Sequence, residues 1–168
     1  MNTLTIDIRK AEPRDAGAIA DVHAESWQGA YGGIIPFRAL RAMIGRRGQA
    51  WWASAIRRAA SVLVIEIGGD VVGYATLGRN RARELPQEGE IYELYIKPEY
   101  QGIGLGSRLF AAARDKLAAH GFSGLVVWAL EENVNATRFY AGAGGRDVAE
   151  GVEVFDAHAL RKVAFVWD

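Results

Sequence analysis

Cysteine is absent from the 168 residues of the chain. Disulfide bonds, thiolate metal sites and a cysteine nucleophile are therefore excluded. An excess of charge is also lacking, because 20 basic and 20 acidic residues give a formal net charge of zero. We therefore do not expect nucleic-acid binding, which depends on a basic excess or a basic patch.

Long apolar runs are missing as well. No stretch reaches the roughly 18 residues that a membrane-spanning helix requires, and the start, MNTLTIDIRKAEPRD, lacks the hydrophobic region of a signal peptide. The three histidines have no second ligand at a usable spacing, so no metal site is expected. The length fits one domain over residues 1–168. We expect a cytoplasmic protein without membrane partners.

Hydrophobic periodicity predicts both helices and strands in the first half of the chain. The alternation in LTIDIRKA is typical of a strand. A helix with Asp15 as its N-cap is predicted to follow and to break at the glycine-rich segment QGAYGGIIP. Residues 37–60 predict further helix, interrupted near Gly45 and Gly48. The segments SVLVIEI, VVGYATLG and GEIYELYIKP predict three strands, and GGD is a hairpin turn between the first two.

The second half predicts a strand–helix–strand unit followed by a helix and a hairpin. A buried helical stripe is expected at Leu105, Leu109, Phe110, Ala113 and Leu117. SGLVVWAL is continuously apolar, as in strands that are buried on both faces. The unit from Glu90 to Leu130 predicts two parallel neighbouring strands with a right-handed crossover. The fold class is therefore α/β with a mixed sheet.

The glycines of QGIGLG stand where this unit passes from strand to helix. Backbone N–H groups at a helix N-terminus, together with the helix dipole, favour a bound phosphate. The dinucleotide fingerprint needs a sixth-position glycine, where this chain has Ser107 or Leu109. A P-loop needs a lysine after its last glycine, but Ser107 follows Gly106. A tight turn without a ligand remains the alternative to some other phosphate site.

Two motifs resemble those of the GCN5-related N-acetyltransferases (the GNAT family). Gln101 to Gly106 fits Gln/Arg-x-x-Gly-x-Gly, which resembles motif A of that family. The segment ENVNATRFYAGAGGR is similar to a later motif, matching at Asn133, Ala136, Phe139, Tyr140 and Gly144. AESWQGAYGGIIP resembles the substrate-side segment of many bacterial members, and the strand order is similar over nearly the whole chain. Gly145 departs from the pattern, since the family usually has phenylalanine there.

The resemblance implies a single-domain GNAT-like fold with helices on both faces of a mixed, mostly antiparallel sheet. Its central parallel pair would be splayed around acetyl-CoA as co-substrate, with no metal. The resemblance assigns cofactor binding to the backbone of Leu94, Tyr95 and Ile96, to Gln101, Gly102, Ile103, Gly104, Leu105, Gly106 and Ser107 of the loop and helix start, and to Asn133 and Tyr140. Asn133 is also expected to cap the helix that follows it.

Acetyl transfer to an amine needs a base, because an ammonium ion is not nucleophilic. Glu90 resembles the family's strand carboxylate and is the expected base, with Glu93 as the alternative. Simple alternation places these two carboxylates on opposite faces unless the strand contains a bulge. The resemblance makes Tyr140 the expected general acid for the leaving thiolate and the Ile96 N–H the expected oxyanion donor. Solvent-facing glutamates and a core tyrosine are the non-catalytic alternatives.

Trp27 and Tyr31 are the candidate acceptor-binding residues, because aromatic faces attract cationic amines. Anchoring of their loop to the core is an equally good explanation. His23 is more typical of a packed histidine than of a base. The expected acceptor is the primary amine of a small molecule, with a peptide or protein N-terminus as the alternative. A catalytically silent acyl-CoA-binding module is the alternative of another class, and a homodimer is compatible with the family.

Overall fold

Seven strands and five α-helices make up the described part of the chain, residues 4–58 and 61–168, in a computed structural model. The strands are β1 (Ile6–Lys10), β2 (Ser61–Ile67), β3 (Asp70–Arg79), β4 (Gly89–Ile96), β5 (Leu125–Leu130), β6 (Arg146–Phe155) and β7 (His158–Trp167). The helices are α1 (Ala16–Tyr31), α2 (Phe37–Arg46), α3 (Gln49–Arg57), α4 (Leu105–Ala119) and α5 (Val134–Gly142).

The strands form one mixed sheet in the order β1-β2-β3-β4-β5-β7-β6. Among the described strands, β4 and β5 pair in parallel and all other neighbours are antiparallel. Helix α4 joins β4 to β5, as the strand–helix–strand prediction requires. This confirms the predicted mixed α/β sheet with a central parallel pair.

Helices cover both faces of the sheet. The predicted stripe of α4 is buried in the larger core, together with residues of β2 to β5 and Tyr140 of α5. On the other face, Ile19 and Val22 of α1 pack with Trp52 of α3 against Val64 and other residues of β2 and β3. Within the described residues, no helix has the length and apolar character needed to cross a bilayer.

The two parallel strands separate soon after they meet. β4 and β5 pair only at Gly89 with Leu125 and at Glu90 with Val126. Beyond these residues β4 continues beside β3, whereas β5 stays paired with β7 as far as Leu130. The predicted splay is therefore present, and it leaves one edge of the second half of β4 without a strand partner.

Two helical predictions for the first half need correction, namely the end of α1 and the role of Asp15. Helix α1 does not break at Gln28 but runs to Tyr31, with Gly29 inside it and packed towards Pro98. The interruption predicted near Gly45 and Gly48 is present at Arg47 and Gly48, between α2 and α3, while Gly45 lies inside α2; residues 59 and 60 lie outside the described residues.

Asp15 precedes α1 but does not cap it with its side chain. A short 3-10 turn at Pro13–Asp15 comes first, and the Asp15 carboxylate accepts the Glu12 N–H at 2.7 Å within that turn. The same carboxylate accepts two hydrogen bonds from the guanidinium of Arg9, at 2.8 and 2.9 Å. The predicted capping residue therefore stabilises the preceding turn and ties it to β1.

Gly145, the departure from the family pattern, lies where another side chain takes up the space. A Cβ atom on Gly145 would come within 2.7 Å of Trp167 Cζ2 and 2.9 Å of the Tyr140 carbonyl oxygen. The Trp167 indole is buried and donates its N–H to the Ala143 carbonyl oxygen at 3.0 Å. Trp167 therefore occupies the space next to α5 that a larger residue at position 145 would need.

Gly145→Ala should lower the melting temperature, since forcing a methyl group against Trp167 and the backbone costs about 1–3 kcal/mol. The matched control is Gly142→Ala, because a Cβ there meets nothing within 4 Å. Alanine is a better helix former than glycine, so the control should be neutral or slightly stabilising. Thermal unfolding of both variants measures the difference; equal melting temperatures would mean that Trp167 gives way at no cost.

Candidate active site

A cleft of about 740 Å³ opens between the splayed strands. Its walls come from the end of β4, the glycine loop, the C-terminal half of α1 and the start of α5. Ten of the residues expected to bind a cofactor line it: Leu94, Tyr95, Ile96, Gln101, Gly102, Gly104, Gly106, Ser107, Asn133 and Tyr140. Ser26 and Gly29 of α1 and Gly32, which follows the helix, also line it, although the sequence motifs did not assign these residues to a cofactor cleft.

The backbone of β4 presents hydrogen-bonding groups to this cleft. The Lys97 N–H donates to the Val72 carbonyl oxygen of β3 at 2.8 Å. Since the backbone groups of successive strand residues point in opposite directions, those of Leu94 and Ile96 face the cleft and those of Tyr95 face β3. The Ile96 carbonyl oxygen agrees with this direction, because it accepts from Gln101 Nε2 at 2.9 Å and from Ser26 Oγ at 3.3 Å.

The glycine loop brings the N-terminus of α4 to the cleft. Gly102 and Gly104 have φ angles of 80° and 86°, which favour glycine, and Gly104 is the N-cap of α4. The N–H groups of the next residues therefore lack intrahelical acceptors. Ile103 is exposed and the Leu105 side chain is buried in the core, so neither side chain lines the cleft. The side chain of Gln101 braces the loop against β4.

Asn133 and Tyr140 close the α5 side of the cleft. Asn133 is the N-cap of α5 and its side-chain oxygen accepts the Ala136 N–H at 3.3 Å, as the sequence predicts. Tyr140 is buried, and this burial raises the pKa of its phenol well above the ordinary value. The phenol therefore keeps its proton at neutral pH and remains a hydrogen-bond donor.

A second cavity, of about 320 Å³, lies beside the first. It is lined by Trp27 and Tyr31 of α1 and by Glu90 and Glu93 of β4, among others. A bulge explains why both carboxylates reach it. Thr76 pairs with Glu93 and Leu77 pairs with Ile91, so one residue of β4 is skipped between them. Simple alternation, which separates Glu90 from Glu93, was wrong for this strand.

Glu93 is held by three side chains, two from β3 and one from the break between α2 and α3. Its Oε1 atom accepts from Arg47 at 2.6 Å and from the Thr76 hydroxyl at 3.4 Å, and its Oε2 atom accepts from the Tyr74 hydroxyl at 3.1 Å. The Arg47 guanidinium also lies 4.6 Å from the ring centre of Trp51. Arg47 thus ties the break between α2 and α3 to β4, a role that the sequence pattern did not indicate.

Glu90 is buried and paired within its own hairpin. Its Oε1 atom accepts the backbone N–H of Arg81 at 3.0 Å, and its Oε2 atom accepts from Arg81 Nη2 at 2.9 Å. The Arg81 guanidinium lies 4.0 Å from the ring centre of Tyr92. The loop between β3 and β4 therefore supplies the partner of a buried carboxylate.

Two tyrosine hydroxyls lie where the cavities meet. Tyr95 lines both of them, and its hydroxyl is 2.6 Å from that of Tyr31, close enough for a strong hydrogen bond. Burial is the main cause that raises the pKa values of both phenols. Tyr31 and Tyr95 therefore form a neutral, hydrogen-bonded partition between the cleft and the second cavity.

Comparison with known proteins fits this geometry. A model of the acetyltransferase (GNAT) family matches residues 20–144. The chain belongs to this family. It is 30% identical over 162 residues to an uncharacterized N-acetyltransferase of Bacillus subtilis, covering 96% of this chain and 92% of that protein.

Solved GNAT folds also align with nearly the whole chain. The PaiA N-acetyltransferase of Thermoplasma acidophilum, in complex with coenzyme A, aligns with a TM-score of 0.76 at 20% identity and covers 94% of this chain and 98% of its own. The yncA protein of Salmonella typhimurium, with its cofactor acetyl-CoA, aligns with a TM-score of 0.72 at 22% identity, covering 97% and 93%. These two likenesses show the shared fold.

His23 of this GNAT protein is buried behind the second cavity and is not part of either wall. It is fully buried on α1, with its ring centre 4.6 Å from that of Trp27. Neither ring nitrogen has a hydrogen-bond partner among the described residues. Burial, helped by the charge of Arg47, lowers the pKa of His23 to about 4. The structure agrees with a packed, neutral histidine.

His23 should make the fold sensitive to acid. Its pKa is about 4 in the folded chain and about 6.5 when unfolded, so only the unfolded state gains this proton as the pH falls from 6.5 towards 4. Stability is full above pH 6.5 and should fall by up to about 3 kcal/mol across that window. Between pH 7.5 and pH 5, the melting temperature of His23→Phe should therefore fall by less than that of the parent chain.

The control is His120→Gln, since His120 is exposed at the end of α4. Protonation of carboxylates also destabilises the fold in acid. This contribution should be the same in both variants and in the parent chain. An identical pH dependence in His23→Phe and His120→Gln would contradict the role given to His23.

Proposed function

We propose that this protein moves an acetyl group directly from acetyl-CoA to the primary amine of a small molecule, in a ternary complex. The meeting of two cavities at Tyr95 is the observation that carries the proposal. One cavity offers a strand edge and a helix N-terminus, and the other offers carboxylates and aromatic faces. When bound, acetyl-CoA supplies an acetyl group activated as a thioester.

The cleft suits the long, polar arm and the phosphates of coenzyme A. The backbone groups of Leu94 and Ile96 that face it can pair with the amides of the arm as a further strand would. The N–H groups at the start of α4 and the Ser107 hydroxyl suit the pyrophosphate. The Ile96 N–H, the last such donor on β4, is then suited to an oxyanion at the acetyl carbon. The coenzyme A and acetyl-CoA complexes among the aligned structures support this assignment.

We place Glu93 ahead of Glu90 as the group that accepts the amine proton, directly or through a water molecule. Glu93 lies two residues from Tyr95, at which the cavities meet, whereas Glu90 lies five residues away. Glu90 is also the more buried carboxylate and is bound by both the backbone and the side chain of Arg81. Glu90 therefore positions the β3–β4 loop, and it remains the alternative base.

Tyr140 is suited to protonate the departing thiolate, since its neutral phenol lines the donor cleft. Without a cysteine, the chain cannot carry the acetyl group on a thiol, which favours direct transfer. The second cavity, at about 320 Å³, is at the small end of ligand sites. That volume favours a small acceptor over a folded protein's N-terminus.

Initial rates of thiol release from acetyl-CoA, measured over a panel of primary amines, test the proposal. Rates that saturate with both substrates, with lines that intersect in double-reciprocal plots, are expected for a ternary complex. Calorimetric titration with coenzyme A should show binding in the same preparation. Tight binding with no transfer to any amine or peptide would instead support a silent acyl-CoA-binding module.

Gly104→Ala should weaken coenzyme A binding by about tenfold or more, since an added Cβ at the N-cap of α4 keeps the phosphates from the backbone. The matched control is Gly121→Ala, at the far end of the same helix. Gly104 and Gly121 have φ angles of 86° and 85°, and a Cβ at either meets nothing within 4 Å. Both variants should lose similar stability, and only the first should lose affinity in calorimetry.

Coenzyme A affinity that is unchanged in both variants would mean that the glycine loop is only a tight turn and does not contact the phosphates. Equal loss in both would show that strain in α4, rather than contact with the ligand, governs binding.

Glu93→Gln should lower kcat by about 10²-fold or more, the usual contribution of a positioned base. Glu90→Gln should have the smaller effect on kcat if its carboxylate only orders the loop. Tyr140→Phe should lower kcat while leaving the affinity for coenzyme A unchanged. Steady-state kinetics with calorimetry on the three variants measures this, and full turnover in Glu93→Gln together with a large loss in Glu90→Gln would reverse the assignment.

A further inference from the structure

The second cavity carries charges of both signs in three ion pairs. Two pairs involve β4, namely Arg47 with Glu93 and Arg81 with Glu90. The third joins Lys162 of β7 to Glu153 of β6 at 2.8 Å. All six side chains line the cavity. The cavity therefore has equal numbers of positive and negative side chains, and an acceptor with no net charge would keep the charges in it balanced.

The charges are not mixed evenly through the cavity. The β4 carboxylates are buried, with side-chain exposures of 11% for Glu93 and 2% for Glu90. Arg81 is 68% exposed. A ligand cation therefore finds two buried carboxylates on β4 and the more exposed Glu153, at 49%, beside Lys162, while a ligand anion finds an accessible guanidinium at Arg81.

Arg81 and Lys162 both keep hydrogen-bonding capacity beyond their carboxylate partners. Arg81 uses its Nε and Nη2 atoms for Glu90, and its guanidinium has five N–H donors in all. Lys162 has three and directs one to Glu153, with its Nζ atom 4.7 Å from the ring centre of Trp128. Cation–π contacts with Tyr92 and Trp128 help to position the two cations.

Apolar and aromatic side chains make up much of the remaining lining of the cavity. They include Trp27, Ile35, Trp128, Leu130 and Phe155. Such walls suit a short carbon chain and offer it no hydrogen bonds. The cavity therefore matches a molecule with an ammonium group at one end, a short apolar segment, and an anionic group at the other end.

We propose that the acceptor is an amino acid, with its amine directed to Glu93 on β4 and its carboxylate bound by Arg81 and Lys162. The inference rests on the proposed acetyl transfer and adds the substrate class. In the reaction the ammonium group first loses one proton to solvent, and the neutral amine nitrogen then bonds to the acetyl carbon as the carbon–sulfur bond breaks. A second proton passes from the nitrogen to Glu93, Tyr140 protonates the departing thiolate, and the carboxylate of the acceptor is unchanged.

Matched pairs of acceptors test the inference. Free α- and ω-amino acids of two to six carbons would each be compared with the primary amide of the same compound, which keeps the amine and removes the negative charge. At least one acid should exceed its amide by tenfold or more in kcat/KM. Ratios within twofold for every pair, with transfer to the amides, would overturn the inference and leave the proposed function standing.

A variant then locates the carboxylate site. Lys162→Met keeps the side-chain stem over Trp128 and removes the charge, and it should raise KM for the preferred acid by about tenfold while leaving KM for the amide unchanged. The matched control is Lys10→Met, which makes the same change of charge on the exposed end of β1.

Equal effects of Lys162→Met on acid and amide would overturn the carboxylate site. Absence of transfer to every acid and every amide, with coenzyme A still bound, would overturn the proposed function and the inference with it. The two failures are distinguishable because only the first leaves an active enzyme.

Discussion

The separation of β4 from β5 after two residue pairs is the constraint on which the rest of the structure depends. Unpaired backbone groups are costly when they are shielded from water, so a sheet normally closes such a gap. In this protein the gap is lined by the glycine loop and the start of α4, by α1 and by α5. The gap is the feature that turns a sheet with an apolar core into a protein with a binding cleft.

Much of this architecture follows from local patterns in the sequence. The stripe of α4, the continuous apolar strand β5 and the cap at Asn133 each have one dominant local cause, and the structure confirms all three. The extension of α1 through Gly29 was not predicted, because the packing of Gly29 towards Pro98 depends on residues distant in sequence. Tertiary contacts override the weak helix propensity of glycine there.

The candidate site also has features that the sequence predicts and features that depend on tertiary structure. The glycine loop could be predicted as a phosphate site because such a site is formed by the backbone N–H groups of adjacent residues. The partners of Glu90 and Glu93 could not be predicted from the sequence. The ion pairs with Arg81 and Arg47 depend on the bulge in β4 and on the conformation of two loops. A bulge shifts every later side chain of a strand by one position. Alternation therefore fails at the one strand where the direction of two carboxylates matters most.

The hydrogen-bonded pair of Tyr31 and Tyr95 has a consequence for side reactions. A thioester is slowly hydrolysed wherever water can reach it, which would waste the donor between encounters with an acceptor. The two partly buried phenols lie at the junction of the cavities, so water that passes from the second cavity towards the proposed thioester site meets their hydrogen-bonded pair.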